Sequence, residues 1–257
     1  NMDVQRHACG ALQLITQTCE SISRASRINQ IIDETSRKGT DAPHQLYACR
    51  ILHYFATTPE NCEMIGKAGG IDRIIEAMDI HIDNSEIQRW ACSAFQRLAC
   101  HSQIEKLIVK KTGALGRIVR AMERHVDNAD VQWNACGALE NLAKNGQNCG
   151  LIAEIGGIER IVEAMDRHVD CGDVQYWACS VLWKLADDAQ IEKKITERGG
   201  IVRIVRAMSR HLDNAEIQLN ACAALWNLAA NIESCEVIAK ENGIELIIQA
   251  MRRHVDN

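Results

Sequence analysis

Aromatic side chains are scarce in this chain of 257 residues, since Phe, Tyr and Trp together make up 4% of it. Proline occurs only twice, and no stretch reaches the roughly eighteen consecutive apolar residues of a membrane span. With two prolines and sixteen glycines, the composition excludes collagen-like and proline-rich disordered chains. The formal net charge is −5, so the chain lacks the basic field that general binding to nucleic acid requires.

Cysteine is frequent, with twelve residues, but no Cys-x-x-Cys motif occurs and a structural zinc site has no sequence support. Six of the cysteines belong to regularly spaced Ala-Cys pairs. Neighbouring helices pack about 8–10 Å apart, which separates equivalent cysteines beyond the roughly 7 Å that a disulfide allows. We therefore predict buried, reduced thiols and a reducing compartment. The expected location is the cytoplasm, with the nucleus or the cytoskeleton as alternatives.

A repeat with a period of 40 to 44 residues runs through the whole sequence. Each copy carries a Gln followed three residues later by Ala-Cys. The six copies of this Gln are Gln5, Gln45, Gln88, Gln132, Gln175 and Gln218. Periods of about 40–47 residues are typical of stacked helical repeats. The period therefore predicts a solenoid, in which each repeat buries its apolar face on its neighbours.

The segment 146–188 shows the predicted structure of one repeat most clearly. Apolar spacing predicts helices over 147–155, 158–168 and 174–186, and Gly156-Gly157 separates the first helix from the second. An acidic residue precedes each third helix, where we expect it to act as the N-cap. These predicted caps are Asp83, Asp127, Asp170 and Asp213.

This pattern resembles the armadillo repeat: a short helix, Gly-Gly-Ile, a second helix, then Val-Gln-x-x-Ala-x-x-Ala-Leu-x-Asn-Leu-Ala. Residues 148–186 match it nearly throughout, and the likeness covers most of the chain. The resemblance implies an all-α, right-handed superhelix with about five full repeats and partial repeats at both ends. The predicted boundaries are a partial repeat at 1–18, full repeats at 19–59, 60–102, 103–145, 146–188 and 189–231, and a partial repeat at 232–257.

These boundaries describe a single array over 1–257, and residues 16–43 depart from the pattern because they lack the glycine pair. Solenoids need polar terminal repeats that act as caps, and neither end of this sequence has the pattern of such a cap. We therefore expect a segment of a longer protein. Head-to-tail association of two copies through the uncapped ends is the alternative.

A His followed two residues later by Asp recurs at the end of every predicted second helix. The histidines are His81, His125, His168, His211 and His254. Such a pair suits a metal or a proton transfer, but an identical pair in every repeat indicates a structural role. A His favours a helix C-terminus and an Asp favours a helix N-terminus. We predict no metal, no cofactor and no enzymatic activity.

The resemblance also implies a binding face, since the third helix of armadillo repeats lines a concave surface where an Asn binds the backbone of an extended peptide. That position is occupied here by Leu14, Tyr54, Arg97, Asn141, Lys184 and Asn227. The position seven residues earlier, on the same helix face, is occupied by His7, Tyr47, Trp90, Asn134, Trp177 and Asn220. The Trp array of importin-like proteins is absent, which argues against a receptor for nuclear localisation signals.

Ten of these residues form the predicted binding site: Tyr47, Tyr54, Trp90, Arg97, Asn134, Asn141, Trp177, Lys184, Asn220 and Asn227. The hypothesis pairs each Trp with the basic residue seven positions later. In the alternative, the Trp side chains pack between repeats and the Asn side chains are solvated. Trp183 and Trp226 are expected to cover the seams between third helices.

Two rows of arginines follow the second helices: Arg73, Arg117, Arg160 and Arg203, and then Arg124, Arg167, Arg210 and Arg253. Since acidic residues are interleaved, we expect a solvated face rather than a nucleic-acid site. Glu76 and Glu163 are expected to pair with Arg120 and Arg206 of the following repeats.

Together these patterns predict a scaffold for protein–protein interaction that binds an extended peptide or a partner segment. The alternative is a permanent structural subunit of a large assembly. A small-molecule substrate is not expected.

Overall fold

The computed structural model describes residues 21–37, 41–110 and 113–255, and within them every regular element is an α-helix. The sixteen helices there are α1 (Ser21–Arg37), α2 (Ala42–Phe55), α3 (Pro59–Lys67), α4 (Gly70–Ile80), α5 (Ser85–Leu98), α6 (Ser102–Lys110), α7 (Ala114–Arg124), α8 (Ala129–Ala143), α9 (Gly146–Glu154), α10 (Gly157–Arg167), α11 (Gly172–Leu185), α12 (Ala189–Glu197), α13 (Gly200–Arg210), α14 (Ala215–Leu228), α15 (Ile232–Lys240) and α16 (Gly243–Arg253). The predicted partial repeat at 1–18 lies outside the described residues.

The helices follow the predicted three-helix order. First helices are α3, α6, α9, α12 and α15, second helices are α4, α7, α10, α13 and α16, and third helices are α2, α5, α8, α11 and α14. In the repeat at 146–188, all helix ends fall within two residues of the prediction. In the repeat at 19–59, the single 17-residue helix α1 precedes α2, in keeping with the missing glycine pair.

The chain divides into two compact units, one ending at Arg124 and the other beginning at His125. In the first unit the core includes Leu52, Ile74 and Phe95, none of them more than 3% exposed. In the second unit Leu139 and Leu182 are fully buried. Each such side chain contributes about 1.5–3 kcal/mol of transfer free energy, so the apolar faces of stacked helices hold each unit together.

The two glycines between first and second helices serve different needs. Gly156 has φ +84°, in the left-handed region that side chains other than Gly and Asn rarely adopt. Gly157 has an ordinary φ, but a Cβ there would lie 2.6 Å from Ile152 Cγ2 and 2.7 Å from its carbonyl oxygen. The pair therefore lets the chain turn sharply and lets the second helix start against the first.

The repeated Gln is a buried link between the second and third helices. Gln175 Nε2 donates to the carbonyls of Met165 (3.0 Å) and His168 (2.9 Å) at the end of α10. Gln218 makes the same two bonds to α13, at 2.8 and 2.9 Å. The last carbonyls of a helix have no partner within it, so the Gln satisfies groups that burial would otherwise leave unpaired.

The prediction that Asp caps the third helices is wrong. Asn84, Asn128 and Asn214, each one residue further on, accept the backbone N–H of the residue three positions later. Cys171 holds this position before α11 and makes no side-chain cap. The displaced aspartates instead pair with arginines at the ends of later second helices: Arg124 with Asp83, Arg167 with Asp127, Arg210 with Asp170, and Arg253 with Asp213.

The predicted ladder of Glu–Arg ion pairs between second helices does not form among the described residues. Glu163 pairs within its own helix with Arg160. The ion pairs between second helices come from aspartates, since Asp79 accepts from Arg117 and Asp166 accepts from Arg203 and Arg206. Asp79 and Asp166 lie about one helical turn after Glu76 and Glu163, and their shorter side chains reach the arginines of the next repeat. Exposed pairs of this kind contribute at most about 1 kcal/mol each, so their main effect is on register.

The histidines have the predicted structural position, at the C-caps of the second helices. The Nε2 atoms of His168, His211 and His254 bond to carbonyls of the preceding repeat at 2.7, 2.8 and 2.9 Å. Among the residues described, no group of three or more His, Cys, Asp or Glu is placed to hold a metal ion. None of the helices described combines the length and the apolar character needed to cross a bilayer.

Of the repeated cysteines in the part of the chain described, Cys49, Cys92, Cys136 and Cys179 are buried free thiols, whereas Cys222 is a half-buried one. Cys49, Cys136 and Cys179 have no exposed surface. Burial raises the pKa of each of these thiols to about 12, because the thiolate would lose its hydration. They act as small apolar residues at the centre of the stack.

Candidate functional site

The ten predicted binding residues all lie on third helices, two per helix and seven positions apart. Those of the first unit are on α2 and α5, and those of the second unit are on α8, α11 and α14. A spacing of seven residues is close to two helical turns, so both members of each pair share one helix face. The surroundings of the two sets differ in charge and in burial.

In the first unit an aromatic and basic group, here called the Trp90 cluster, joins α2 to α5. It comprises Arg50, His53, Tyr54, Arg89 and Trp90. The rings of His53 and Tyr54 have centroids 5.2 and 5.7 Å from the centroid of Trp90. The guanidinium carbons of Arg50 and Arg89 lie 5.2 and 4.5 Å from that centroid, within the range of cation–π attraction. Trp90 thus packs between neighbouring third helices while remaining partly exposed.

His53 is held neutral within this cluster. Its Nδ1 atom is 2.9 Å from the hydroxyl of Ser93, a buried residue of α5. Burial lowers the pKa of His53 to about 4, and the positive charges of Arg97 and Arg89 act in the same direction. At neutral pH the charge of the cluster therefore comes from its arginines.

Two donors of the Trp90 cluster are unused. Trp90 Nε1 and Arg50 Nε are buried and have no hydrogen-bond partner among the residues described. The predicted partner of Trp90, Arg97, is exposed on the same face of α5, but the arginines found over the ring are Arg50 and Arg89. Tyr47 is half-buried on α2. The structure therefore brings Tyr54 and Trp90 together with side chains that were not predicted.

In the second unit the asparagines are less accessible than expected. Asn134, Asn141 and Asn220 are 1%, 4% and 7% exposed, so the alternative of solvated asparagines is wrong for these three. Asn134 Nδ2 donates to the carbonyl of Asp130 at 2.7 Å, and its Oδ1 is buried without a donor. Asn141 Oδ1 accepts from Lys144.

Trp177 and Lys184 are both half-buried on α11 but have separate neighbours. The ring of Trp177 meets Tyr176 edge to face, with centroids 4.9 Å apart. Lys184 Nζ lies 3.5 Å from the centroid of Trp183, and Asn227 Nδ2 donates to the Trp183 carbonyl at 3.2 Å. The Trp183 carbonyl thus joins α11 to α14, and the coverage of the seam by its ring stays a prediction. Trp226 is 83% exposed and does not cover a seam among the described residues.

A pocket of about 540 Å³ opens at the C-terminal ends of these third helices. Its wall includes Lys144, Trp183, Lys184, Asp187 and Asn227. Two predicted residues, Lys184 and Asn227, thus share one concavity, while Asn134 and Asn220 lie deeper in the stack. The wall carries both charges and an amide, which suits a peptide backbone with polar side chains.

Arg50, His53, Arg89 and Lys144 are the site residues that the sequence reasoning missed. Arg50 could have been identified from the sequence, because it lies four residues before Tyr54, at a position where the other repeats have Gly, Ser or Ala. The roles of the other three depend on distances between helices, which the repeat pattern alone does not provide.

Three solved structures with the same arrangement of helices are engineered or designed proteins. One engineered protein matches with a TM-score of 0.75 and 22% identity, over 88% of this chain and 96% of that chain. A second has a TM-score of 0.75 and 24% identity, over 88% and 89%. A computationally designed armadillo repeat protein for modular peptide recognition has a TM-score of 0.72 and 21% identity, over 87% and 97%. The fold is therefore that of an armadillo-repeat protein, as the sequence resemblance implied.

A match between the sequence and a family profile identifies the family. The profile described as GAC ARM domain matches residues 28–257. The chain belongs to this family of armadillo-repeat domains. No curated protein matches it.

Proposed function

We propose that this chain binds an extended peptide or partner segment along its third helices, and that its role is that of an interaction scaffold. The observation that carries the proposal is the Trp90 cluster. It gathers Trp, Tyr and Arg, the side chains that concentrate binding energy at interfaces, on the helix face that the armadillo resemblance assigns to peptides. Its aromatic rings and guanidinium groups are partly exposed on this face, where a bound partner can contact them.

The second unit supports the same role with different chemistry. Asn227 lies in the pocket wall beside Lys184, and an amide can serve the N–H groups of a peptide backbone. The pocket beside Lys184 and Asn227 has room for side chains. One structural neighbour is described as designed for modular peptide recognition; that is a property of the neighbour, and it makes the proposed use of this face reasonable.

The test is a selection from a random twelve-residue peptide library displayed on phage, followed by affinity measurement with the selected peptides. The full chain should enrich peptides, and Trp90→Ala/Trp177→Ala should weaken them by about tenfold or more. Trp226→Ala is the matched control, because it removes an exposed Trp of the last third helix. Unchanged affinity in the double variant, with circular dichroism intact, would contradict the proposal.

A permanent place in an assembly is the second candidate, and a specific surface favours it. Leu219 and Met251 of α14 and α16 are 68% and 69% exposed and line an apolar pocket of about 370 Å³. Met208, one repeat earlier, has no exposed surface. This surface, here called the seat on α14 and α16, is where one more third helix would pack. Residues 1–18 carry the sequence pattern of a third helix, so we propose that such an assembly includes head-to-tail association of two copies.

The cytoplasm is the proposed location, on the basis of the buried free thiols, since reduced cysteines suit a reducing compartment. The proposed role requires no cofactor and no catalysed reaction.

A further inference from the structure

The arginines of the first unit differ in their partners. On the second helices, Arg117 bonds to Asp79 at 2.7 Å and Arg124 bonds to Asp83, while Arg120 is exposed. On the third helices, Arg89 pairs with Glu86 at 3.0 Å, whereas Arg50 and Arg97 have no carboxylate partner among the residues described. The binding face of this unit therefore carries uncompensated positive charge.

The hydrogen-bonding groups of the Trp90 cluster that lack a partner among the described residues are all donors. An Arg guanidinium and a Trp indole N–H donate and cannot accept, and the unpartnered atoms of the Trp90 cluster are Arg50 Nε and Trp90 Nε1. The guanidinium of Arg97, which is exposed, is likewise a donor only, so a ligand on this face has to present acceptors. A carboxylate does so with two oxygens and also compensates the charge, which makes the bonds about twice as strong as neutral ones.

The electrostatic surroundings indicate the same ligand. The charges of Arg97 and Arg89 help to lower the pKa of His53, so their field is positive in the interior of the cluster. A partly buried charge without a counter-charge is unfavourable, and a carboxylate beside the guanidinium groups of Arg50 and Arg97 supplies that counter-charge. The rings of Tyr54 and Trp90 add apolar surface beside the charges.

We propose that the Trp90 cluster, together with Arg97, binds a partner-protein segment in which an Asp or Glu stands beside an apolar residue. This inference rests on the proposed function and specifies the chemistry of its ligand. A protein segment is favoured over RNA, because two unpaired arginines in a chain of net charge −5 do not form the extended basic track that a phosphate backbone requires.

The experiment compares three fluorescein-labelled ten-residue peptides that alternate Leu with Glu, Gln or Lys. Binding to the full chain is measured by fluorescence anisotropy at low and at moderate salt. The Glu–Leu peptide should bind at least about tenfold more tightly than the other two, and salt should weaken it. Arg50→Gln/Arg97→Gln should abolish this preference.

The matched control is Arg120→Gln/Arg252→Gln, which removes the same charge from exposed arginines of second helices. It should bind the Glu–Leu peptide as the unchanged chain does. Arg97→Gln alone, at an exposed position, should give a partial loss and keeps the test valid if the Arg50 variant does not fold.

The remaining outcomes separate the two proposals. Equal binding of the Glu–Leu and Gln–Leu peptides overturns the acidic preference and leaves the peptide-binding function standing. The same holds if library-selected peptides bind while the Glu–Leu peptide does not. Equal losses in the control and test variants overturn the site assignment. Tighter binding of a poly-uridine RNA, lost in the test variant, overturns the choice of a protein segment. Failure of the library selection as well removes the peptide-binding function itself.

Discussion

Single polar side chains inside this stack connect helices whose backbone groups would otherwise be buried without partners. Gln175 holds two carbonyls at the end of α10. Asn148 Nδ2 donates to the Leu142 carbonyl at 2.8 Å, and Asn61 Nδ2 to the Phe55 carbonyl at 2.9 Å, which links the end of a third helix to the following first helix. Repeated polar residues at these positions therefore serve the fold, whereas the polar residues that differ between repeats are the candidates for recognition.

Gln175→Ala should destabilise the chain by about 1–3 kcal/mol, because two buried carbonyls lose their donor and no water replaces it. The measurement is the midpoint of urea unfolding followed by circular dichroism. Gln190→Ala, at an exposed position of α12, is the control and should change stability by no more than about 0.5 kcal/mol. Similar losses in both variants would show that the two bonds do not have this role.

At the level of helices, the turn between first and second helices repeats one backbone conformation with two residue types. Gly69, Gly156 and Gly199 have φ of 85°, 84° and 73°, and Asn242 takes the same place before α16 with φ 64°. Asn tolerates this region better than other residues with a Cβ, because its short polar side chain bonds locally. The last repeat thus retains the turn although it has lost the first glycine.

Gly156→Ala should therefore destabilise the chain by about 1–2 kcal/mol, since Ala is strained at positive φ. Gly156→Asn should cost clearly less, because Asn242 shows that Asn fits this turn. Thermal unfolding of both variants under the same conditions gives the comparison. If Ala and Asn cost the same, backbone strain would not explain the loss. The new Cβ itself meets Glu159 Oε2 at 3.9 Å, which is an ordinary contact distance.

For the molecule as a whole, the sequence predicted the three-helix repeat to within two residues in its clearest copy, because period and apolar spacing depend on local chemistry. The partners of charged side chains were predicted less well. Asp83 and Asn84 are adjacent and both suit a cap, and only the geometry shows that Asn84 caps while Asp83 binds Arg124. Likewise, the choice of Arg50 over Arg97 as the partner of Trp90 depends on the spacing of α2 and α5.

The exposed seat on α14 and α16 makes the association of whole molecules testable. If residues 1–18 of a second copy fill it, the full chain should show a concentration-dependent increase in mass by analytical ultracentrifugation. Leu219→Glu/Met251→Glu should remain monomeric, because each substitution places a charge in the apolar seat. Leu151→Glu/Ile155→Glu, which alters residues 42% and 40% exposed elsewhere on the second unit, should associate as the unchanged chain does. Association that survives the first double variant, or none in the unchanged chain, would contradict head-to-tail contact and leave the seat to some other helix.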